Sequence, residues 1–71
     1  MKGSFDIGEL VYIPSDVILF NESETCRLKK PLNLLITGRK DALYEVLYDG
    51  NAWYVENSSV YELREKNVKI Y

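Results

Sequence analysis

The sequence predicts an all-β domain built from five or six short antiparallel strands. Apolar and aromatic runs recur about every ten residues, and each run ends at glycine, proline or a cluster of polar residues. No stretch of any length keeps the apolar period of an α-helix. The dipeptide Asp49-Gly50, between two aromatic-rich runs, is a strong signal for a two-residue hairpin turn. Together these patterns predict a small antiparallel barrel or sandwich.

The length and composition indicate one domain over residues 1–71. A chain of 71 residues that is 46% hydrophobic and 28% charged can fold around a small core. No apolar stretch approaches the roughly 20 residues of a membrane span, and the first residues, "MKGSFDIGEL", do not resemble a secretory signal. We therefore expect no membrane association and an intracellular, cytoplasmic location by default.

The inventory of reactive side chains excludes several classes of function. The chain contains no histidine and one cysteine, Cys26. An internal disulfide, the usual zinc ligand sets and histidine-dependent nucleophilic catalysis are therefore excluded. Acidic residues recur singly, as on a solvated surface, and do not suggest a catalytic carboxylate pair. The prediction is a non-enzymatic protein without cofactor or metal.

The order of the predicted strands follows the turn signals. A loose hairpin surrounds the polar turn at 21–25, and a second hairpin surrounds the turn Gly-Arg-Lys-Asp at 38–41. Ser59 precedes Glu62 by three residues, a capping-box spacing that predicts one short helical turn before the last strand. The predicted strands are 8–13, 33–37, 42–48, 52–56 and 67–71, together with a less regular pair at 17–20 and 26–31.

The Asp49-Gly50 turn predicts the register of its hairpin. Asp and Gly both tolerate the positive φ of a type I′ turn, and this turn places Val46 opposite Trp53. A three-residue loop with a bulge would instead place Glu45 opposite Trp53 and mix charge into the apolar layer, so burial favours the two-residue turn. The predicted core face carries Tyr44, Val46, Tyr48, Trp53 and Val55, and the outer face carries Leu43, Glu45, Leu47, Ala52, Tyr54 and Glu56.

Residues 8 to 63 resemble the Src-homology-3-like (SH3-like) small barrels, which include the Tudor and KOW-type modules. The resemblance rests on "GELVYIP", a long irregular connection, a three-strand meander and the closing "NSSVYEL". "EVLYDGNAWYVENSSVYEL" is similar to the central Tudor stretch, and "NSSVYEL" is similar to the closing turn of a Src-homology-3 domain, with matches at Ser58, Glu62 and Leu63. The resemblance implies a five- to six-stranded SH3-like barrel with one short helical turn before the last strand.

The chain departs from these families where they bind their ligands. The Tudor aromatic between aspartate and glycine is absent, and Tyr48 stands before Asp49 instead. In the closing turn, Val60 occupies the position of the ligand-contacting tyrosine, and Tyr61 follows it. The resemblance therefore implies the fold and neither family's ligand. The chain also resembles the small, self-contained proteins encoded by tailed bacteriophages.

Three functional hypotheses follow. The first is a non-enzymatic protein-interaction module that uses the irregular segment 14–33, a strand edge or the outer hairpin face. The second is a nucleic-acid-binding barrel with a local basic patch beside exposed tyrosine, disfavoured by the net charge of -2. The third is a structural or assembly subunit of a bacteriophage particle, located in the virion. The candidate residues are Leu47, Tyr54 and Tyr61 for a protein partner, and Arg27, Lys29, Lys30, Arg39 and Lys40 for nucleic acid.

Overall fold

The computed structural model describes residues 4–63, which form an antiparallel sheet of seven strands. The all-β class is confirmed, with seven strands in the described part where five or six were expected. The order across the sheet is β3-β2-β6-β5-β4-β1-β7, so β3 and β7 are its edges. The strands are β1 (Leu10–Ile13), β2 (Ile18–Phe20), β3 (Thr25–Arg27), β4 (Leu32–Lys40), β5 (Leu43–Tyr48), β6 (Asn51–Glu56) and β7 (Tyr61–Glu62).

The β5–β6 hairpin has the predicted register. Asp49 and Gly50 form a two-residue turn with φ of 53° and 78°, the positive values that a type I′ turn requires at both positions. Val46 lies opposite Trp53, and both side chains are buried. The indole Nε1 of Trp53 donates a hydrogen bond of 3.2 Å to the backbone oxygen of Tyr48. This bond ties the indole to the strand before the turn.

The β4–β5 hairpin differs from its prediction. The expected four-residue turn at 38–41 is wrong, because β4 continues through Lys40 and the turn is Asp41-Ala42. The glycine that suggested a turn, Gly38, lies instead beside a β-bulge, where the register shifts between Ile36 and Gly38. A glycine within a strand commonly marks such a bulge, which bends the strand.

The connection between β1 and β4 contains the predicted loose hairpin, formed by β2 and β3. Its tip is an Asx turn, in which Asn21 Oδ1 accepts hydrogen bonds from the backbone N–H groups of Ser23 and Glu24 at 2.9 Å. The backbone N–H of Leu28 donates to Val17 at 2.9 Å and extends the pairing beyond β3. Phe20 pairs with Tyr54, which attaches this hairpin to β6.

The segment after β6 forms a single turn of 3-10 helix, Asn57–Ser59, before the short edge strand β7. The predicted capping box is wrong, because Ser59 ends this turn and Glu56 occupies its N-cap position without a side-chain cap. Strand β7 pairs with β1, with Tyr61 opposite Tyr12. The predicted closing strand at 67–71 lies outside the described residues.

The core lies on the inner face of the sheet, and the N-terminal segment closes one end of it. Phe5 packs edge-to-face on Tyr44, with ring centroids 5.9 Å apart. The backbone N–H of Phe5 donates to the Tyr44 hydroxyl at 2.9 Å, and the Phe5 carbonyl accepts from Arg39 Nη1 at 3.3 Å. The buried apolar side chains are Phe5, Val11, Ile13, Leu19, Leu28, Leu32, Leu34, Ile36, Tyr44, Val46, Trp53, Val55 and Val60.

Candidate functional site

The face of the sheet turned away from the core carries a continuous set of apolar side chains. Across the sheet, Leu10 lies opposite Leu35, Leu35 opposite Leu47, and Leu47 opposite Ala52. These residues form one row across four strands. Successive residues of a strand point to opposite faces, and the neighbours of this row on β1, β4, β5 and β6 include buried core residues. The row therefore lies on the outer face.

A second row runs beside the first. Tyr61 lies opposite Tyr12, and Tyr12 lies opposite Asn33. Tyr12 is two residues from Leu10 on β1, so the two rows are adjacent on the same face. We call the six apolar members of the two rows the outer patch; they are Leu10, Tyr12, Leu35, Leu47, Ala52 and Tyr61.

Two members of the outer patch are large and exposed. Leu47 exposes 42% of its surface and Tyr61 exposes 51%. Leu10, Tyr12 and Leu35 are half-buried between them. Both exposed residues are among those predicted from the sequence to bind a protein, and the structure brings them to the same face although they are far apart in the chain.

The third predicted protein-binding residue, Tyr54, lies at the border of the outer patch. It occupies the neighbouring row, opposite Glu45 on one side and Phe20 on the other. Its ring contacts Phe20, with centroids 6.1 Å apart and planes inclined by 41°. Tyr54 is half-buried, so part of its ring area is already used within the fold.

Carboxylates border the outer patch at the β5 end. Glu45 follows in the next row, and Asp49 lies in the turn beyond Tyr48. The Glu45 carboxylate is held in place, since Thr37 Oγ1 donates a hydrogen bond of 2.9 Å to its Oε1. Glu56, which the sequence placed on the same outer face, lies one row further away, opposite Leu43. The outer patch is thus apolar with an acidic border.

The basic residues form two separate groups. Arg39 and Lys40 pair with the first two residues of β5, whereas Lys29 and Lys30 line a cavity with Tyr48, its last residue. Four residues of extended strand span about 13 Å, so the two groups lie at opposite ends of β5. They do not form one continuous basic patch. Arg39 is also engaged with the N-terminal segment through the Phe5 carbonyl.

The basic group of Arg27, Lys29 and Lys30 borders a cavity of about 360 Å³, which we call the basic cavity. Arg27 forms an ion pair of 3.4 Å with Asp16, and both side chains are largely exposed. The sequence suggested the basic residues of this cavity but not its apolar lining, because that lining depends on how residues 26–32 lie against Tyr48. Its lining residues are Cys26, Arg27, Leu28, Lys29, Lys30, Leu32 and Tyr48.

Outer patch residues that sequence reasoning missed lie on β1 and β4. Leu10, Tyr12 and Leu35 belong to strands whose pairing joins distant parts of the chain. The alternation of "GELVYI" was a signal that Leu10 and Tyr12 share a face, but it did not indicate which strand lies beside them. The β1–β7, β1–β4 and β4–β5 pairings together place Tyr61 and Leu47 on the same face.

Two further features are absent from residues 4–63, a metal-ligand cluster and a membrane-crossing helix. In that range, no three histidine, cysteine, aspartate or glutamate side chains are grouped as they would be around a metal ion. No helix in the same range is long and apolar enough to cross a membrane. Comparisons with protein-family models, with curated proteins and with solved structures find no match. The functional inference therefore rests on the outer patch and the basic cavity.

Proposed function

We propose that the chain is a non-enzymatic protein-interaction module, built on an SH3-like barrel, that binds its partner through the outer patch. The strand pairing supports the barrel. Strands β4, β5 and β6 form a meander, β1 pairs with β4, and β2 returns to pair with β6. After the 3-10 turn, β7 returns to β1. Segments on both sides of the meander thus fold over one core, as closure into a barrel requires.

The observation that carries the interaction role is that Leu47 and Tyr61 are exposed on one face and are linked there by half-buried apolar residues of β1 and β4. Exposed apolar side chains on monomeric proteins are usually scattered singly, whereas contiguous patches with a polar border mark binding surfaces. The outer patch also combines tyrosine and leucine at its centre with carboxylates at its edge, the usual arrangement of an interface core and rim. The tyrosines provide large contact areas at low entropic cost.

The border indicates the chemistry of the partner. Glu45 and Asp49 flank the apolar centre, so a partner with apolar side chains beside lysine or arginine is complementary. A second copy of the chain, docked by the same face, would set carboxylates against carboxylates. Like charges across an interface disfavour that pairing, so the proposal is a basic, apolar partner.

The test compares three forms of the protein as bait in extracts of its native host. The wild type and Ile18→Glu should retain the same partner, because Ile18 is an exposed apolar residue (52%, against 42% for Leu47) that lies outside the outer patch. Leu47→Glu should lose that partner by about tenfold or more, since it places a charge at the centre of the interface. Thermal unfolding of all three proteins establishes that the fold is intact.

The outcomes separate the functions under consideration. The interaction module is supported if a protein is retained by the wild type but lost by Leu47→Glu, and if lysine or arginine residues of that protein are protected in the complex. A bacteriophage particle component retained in the same way would assign the patch to assembly. Equal retention by all three baits would contradict a role for the outer patch and direct attention to the segment 14–33.

A further inference from the structure

We propose that the basic cavity is a second, independent binding site, which takes a planar aromatic anion of mononucleotide size. The site lies between Tyr48 at the end of β5 and residues 26–32, which comprise part of β3 and the segment after it, and it does not include any residue of the outer patch. Its apolar lining would hold the ring, and its lysines would bind a phosphate group.

The floor of the basic cavity is apolar and well supported. Leu28 and Leu32 are 2% and 5% exposed, and Cys26 and Tyr48 are half-buried against the core. A volume of about 360 Å³ is small. Sites for small molecules commonly range from roughly 300 to 1,000 Å³, so the cavity suits one ring system with its phosphate.

Backbone hydrogen bonds fix both walls. On the hairpin side, the N–H of Leu28 donates to the Val17 carbonyl at 2.9 Å, and the N–H of Asp16 donates to the Leu28 carbonyl at 2.7 Å. On the β5 side, the Tyr48 carbonyl accepts from Trp53 Nε1 at 3.2 Å. The cavity is therefore preformed, and a ligand would not have to order its walls on binding.

The charge of the lining distinguishes this cavity from the others. Arg27, Lys29 and Lys30 contribute three positive charges and the lining contains no carboxylate, although the whole chain carries a net charge of -2. Three other cavities formed by residues 4–63 each include at least one carboxylate: Asp41 in the first, Asp16 and Glu56 in the second, and Glu45 in the third.

The ion pair of Arg27 does not remove its charge from the site. Arg27 and Asp16 are 70% and 74% exposed, and pairs of this kind contribute little to stability. An incoming phosphate can therefore compete with Asp16 for the guanidinium group, which forms bidentate hydrogen bonds with phosphate oxygens.

The combination of lining and charge favours a nucleotide over other anions. An acidic peptide would satisfy the lysines but leave the apolar floor uncovered, whereas a base can cover it and contact Tyr48. A base inside a duplex is stacked and cannot enter a cavity, so the ligand is either a free mononucleotide or a nucleotide of a single strand. These two sources share the same chemistry and are separated by the experiment.

The experiment titrates the full-length protein with adenosine monophosphate and with a ten-residue oligothymidylate, using isothermal calorimetry and amide chemical shifts. Lys30→Glu and Lys40→Glu change the charge equally, but only Lys30 lines the basic cavity. Lys30→Glu should weaken binding of the preferred probe by at least about fivefold, whereas Lys40→Glu should change it by less than about twofold, since a lost charge-assisted hydrogen bond has that magnitude.

A second variant tests the ring. Tyr48→Leu keeps an apolar side chain and should weaken the nucleotide by about threefold or more while leaving the affinity for inorganic phosphate unchanged, because only base contacts are lost. Tighter binding of the oligonucleotide with a steeper salt dependence would identify a single strand as the source. Equal effects of Lys30→Glu and Lys40→Glu, or no saturable binding of either probe at millimolar concentration, would overturn the proposal. Leu47→Glu should not affect it, so this site and the outer patch can fail separately.

Discussion

The two hairpins that share β5 are closed by turns of different kinds. In the β5–β6 hairpin, Asp49 and Gly50 both have positive φ, and the pairing continues without interruption from the turn to the far end of the strands. In the β4–β5 hairpin, Asp41 has a φ of 54° and its neighbour Ala42 does not share the positive value. There the register breaks between Ile36 and Gly38.

The difference shows that the two glycines serve opposite purposes. Gly50 has a φ of 78° and no atom lies within 4 Å of the position where a Cβ would be, so its requirement is conformational. Gly38 has no unusual φ, but a Cβ there would lie 3.0 Å from Glu45 Oε1. Glycine is therefore needed at this position because there is little space for a side chain. The bulge allows Thr37 to donate its hydroxyl to that same carboxylate.

The largest expected effect is on the side chain that the β5–β6 hairpin places in the core. Trp53 is buried opposite Val46, and Trp53→Ala should cost about 3 to 5 kcal/mol because it leaves a large cavity. The unfolding free energy of a domain of this size is about 5 kcal/mol, so the variant should keep only about 0 to 2 kcal/mol and be marginally stable at 25 °C. Urea denaturation measures the change.

Trp53→Phe is the matched control, since it keeps an aromatic ring and loses the hydrogen bond to the Tyr48 carbonyl. Trp53→Phe should retain a cooperative unfolding transition and lose less unfolding free energy than Trp53→Ala. The wild-type indole should show blue-shifted emission that iodide quenches poorly. Water-like emission would contradict the buried position.

The second effect tests the conformational requirement at Gly50. Gly50→Val should destabilise the domain by about 1 to 2 kcal/mol, the strain of a β-branched residue at positive φ. Gly50→Asn should recover most of that loss, because asparagine tolerates the left-handed region. Melting temperatures of the two variants make the comparison, and equal losses would show that φ is not the reason.

The β5–β6 register and the inner face were predictable because a local signal, Asp49-Gly50, determines them. The β4–β5 turn was not predictable in this way. A glycine in the sequence suggests a turn, whereas the role of Gly38 depends on Glu45 on the neighbouring strand. For the candidate site, the outer position of Leu47 followed from the hairpin. That Tyr61 shares this face depends on the non-local pairing of β1 with β4 and β7, for which no turn residue gives a signal.

The third effect concerns the less regular turn. Asp41 is a non-glycine residue at positive φ, which aspartate accepts more readily than alanine. Asp41→Ala should therefore cost about 1 kcal/mol, and Asp41→Asn should be close to neutral. Differential scanning calorimetry resolves the difference. Equal stability of the alanine and asparagine variants would mean that the β4–β5 turn does not depend on a left-handed residue. The bulge would then be the remaining difference between the two hairpins.

The smallest effect is a coupling between Gly38 and Glu45. Gly38→Ala removes backbone freedom from the unfolded chain, a gain of about 0.5 to 1 kcal/mol, but its Cβ displaces the Glu45 carboxylate. Displacement weakens the hydrogen bond from Thr37, a loss of about 1 kcal/mol, so the two contributions should nearly cancel. In a Glu45→Ala background the obstruction is absent, and Gly38→Ala should become stabilising.

A double-mutant cycle by urea denaturation measures this coupling, with an expected value of about 0.5 to 1 kcal/mol. Gly50→Ala is the control, because no side chain lies near that position and its cost should be the same with or without Glu45. Additive changes at Gly38 and Glu45 would mean that the glycine beside the bulge is not there to admit the carboxylate. Glu45 also forms part of the acidic border of the outer patch, so the same variants would show whether its fixed position contributes to partner binding. Glu45→Ala should weaken the binding of a basic partner. Gly38→Ala, which moves the carboxylate without removing it, should weaken that binding less.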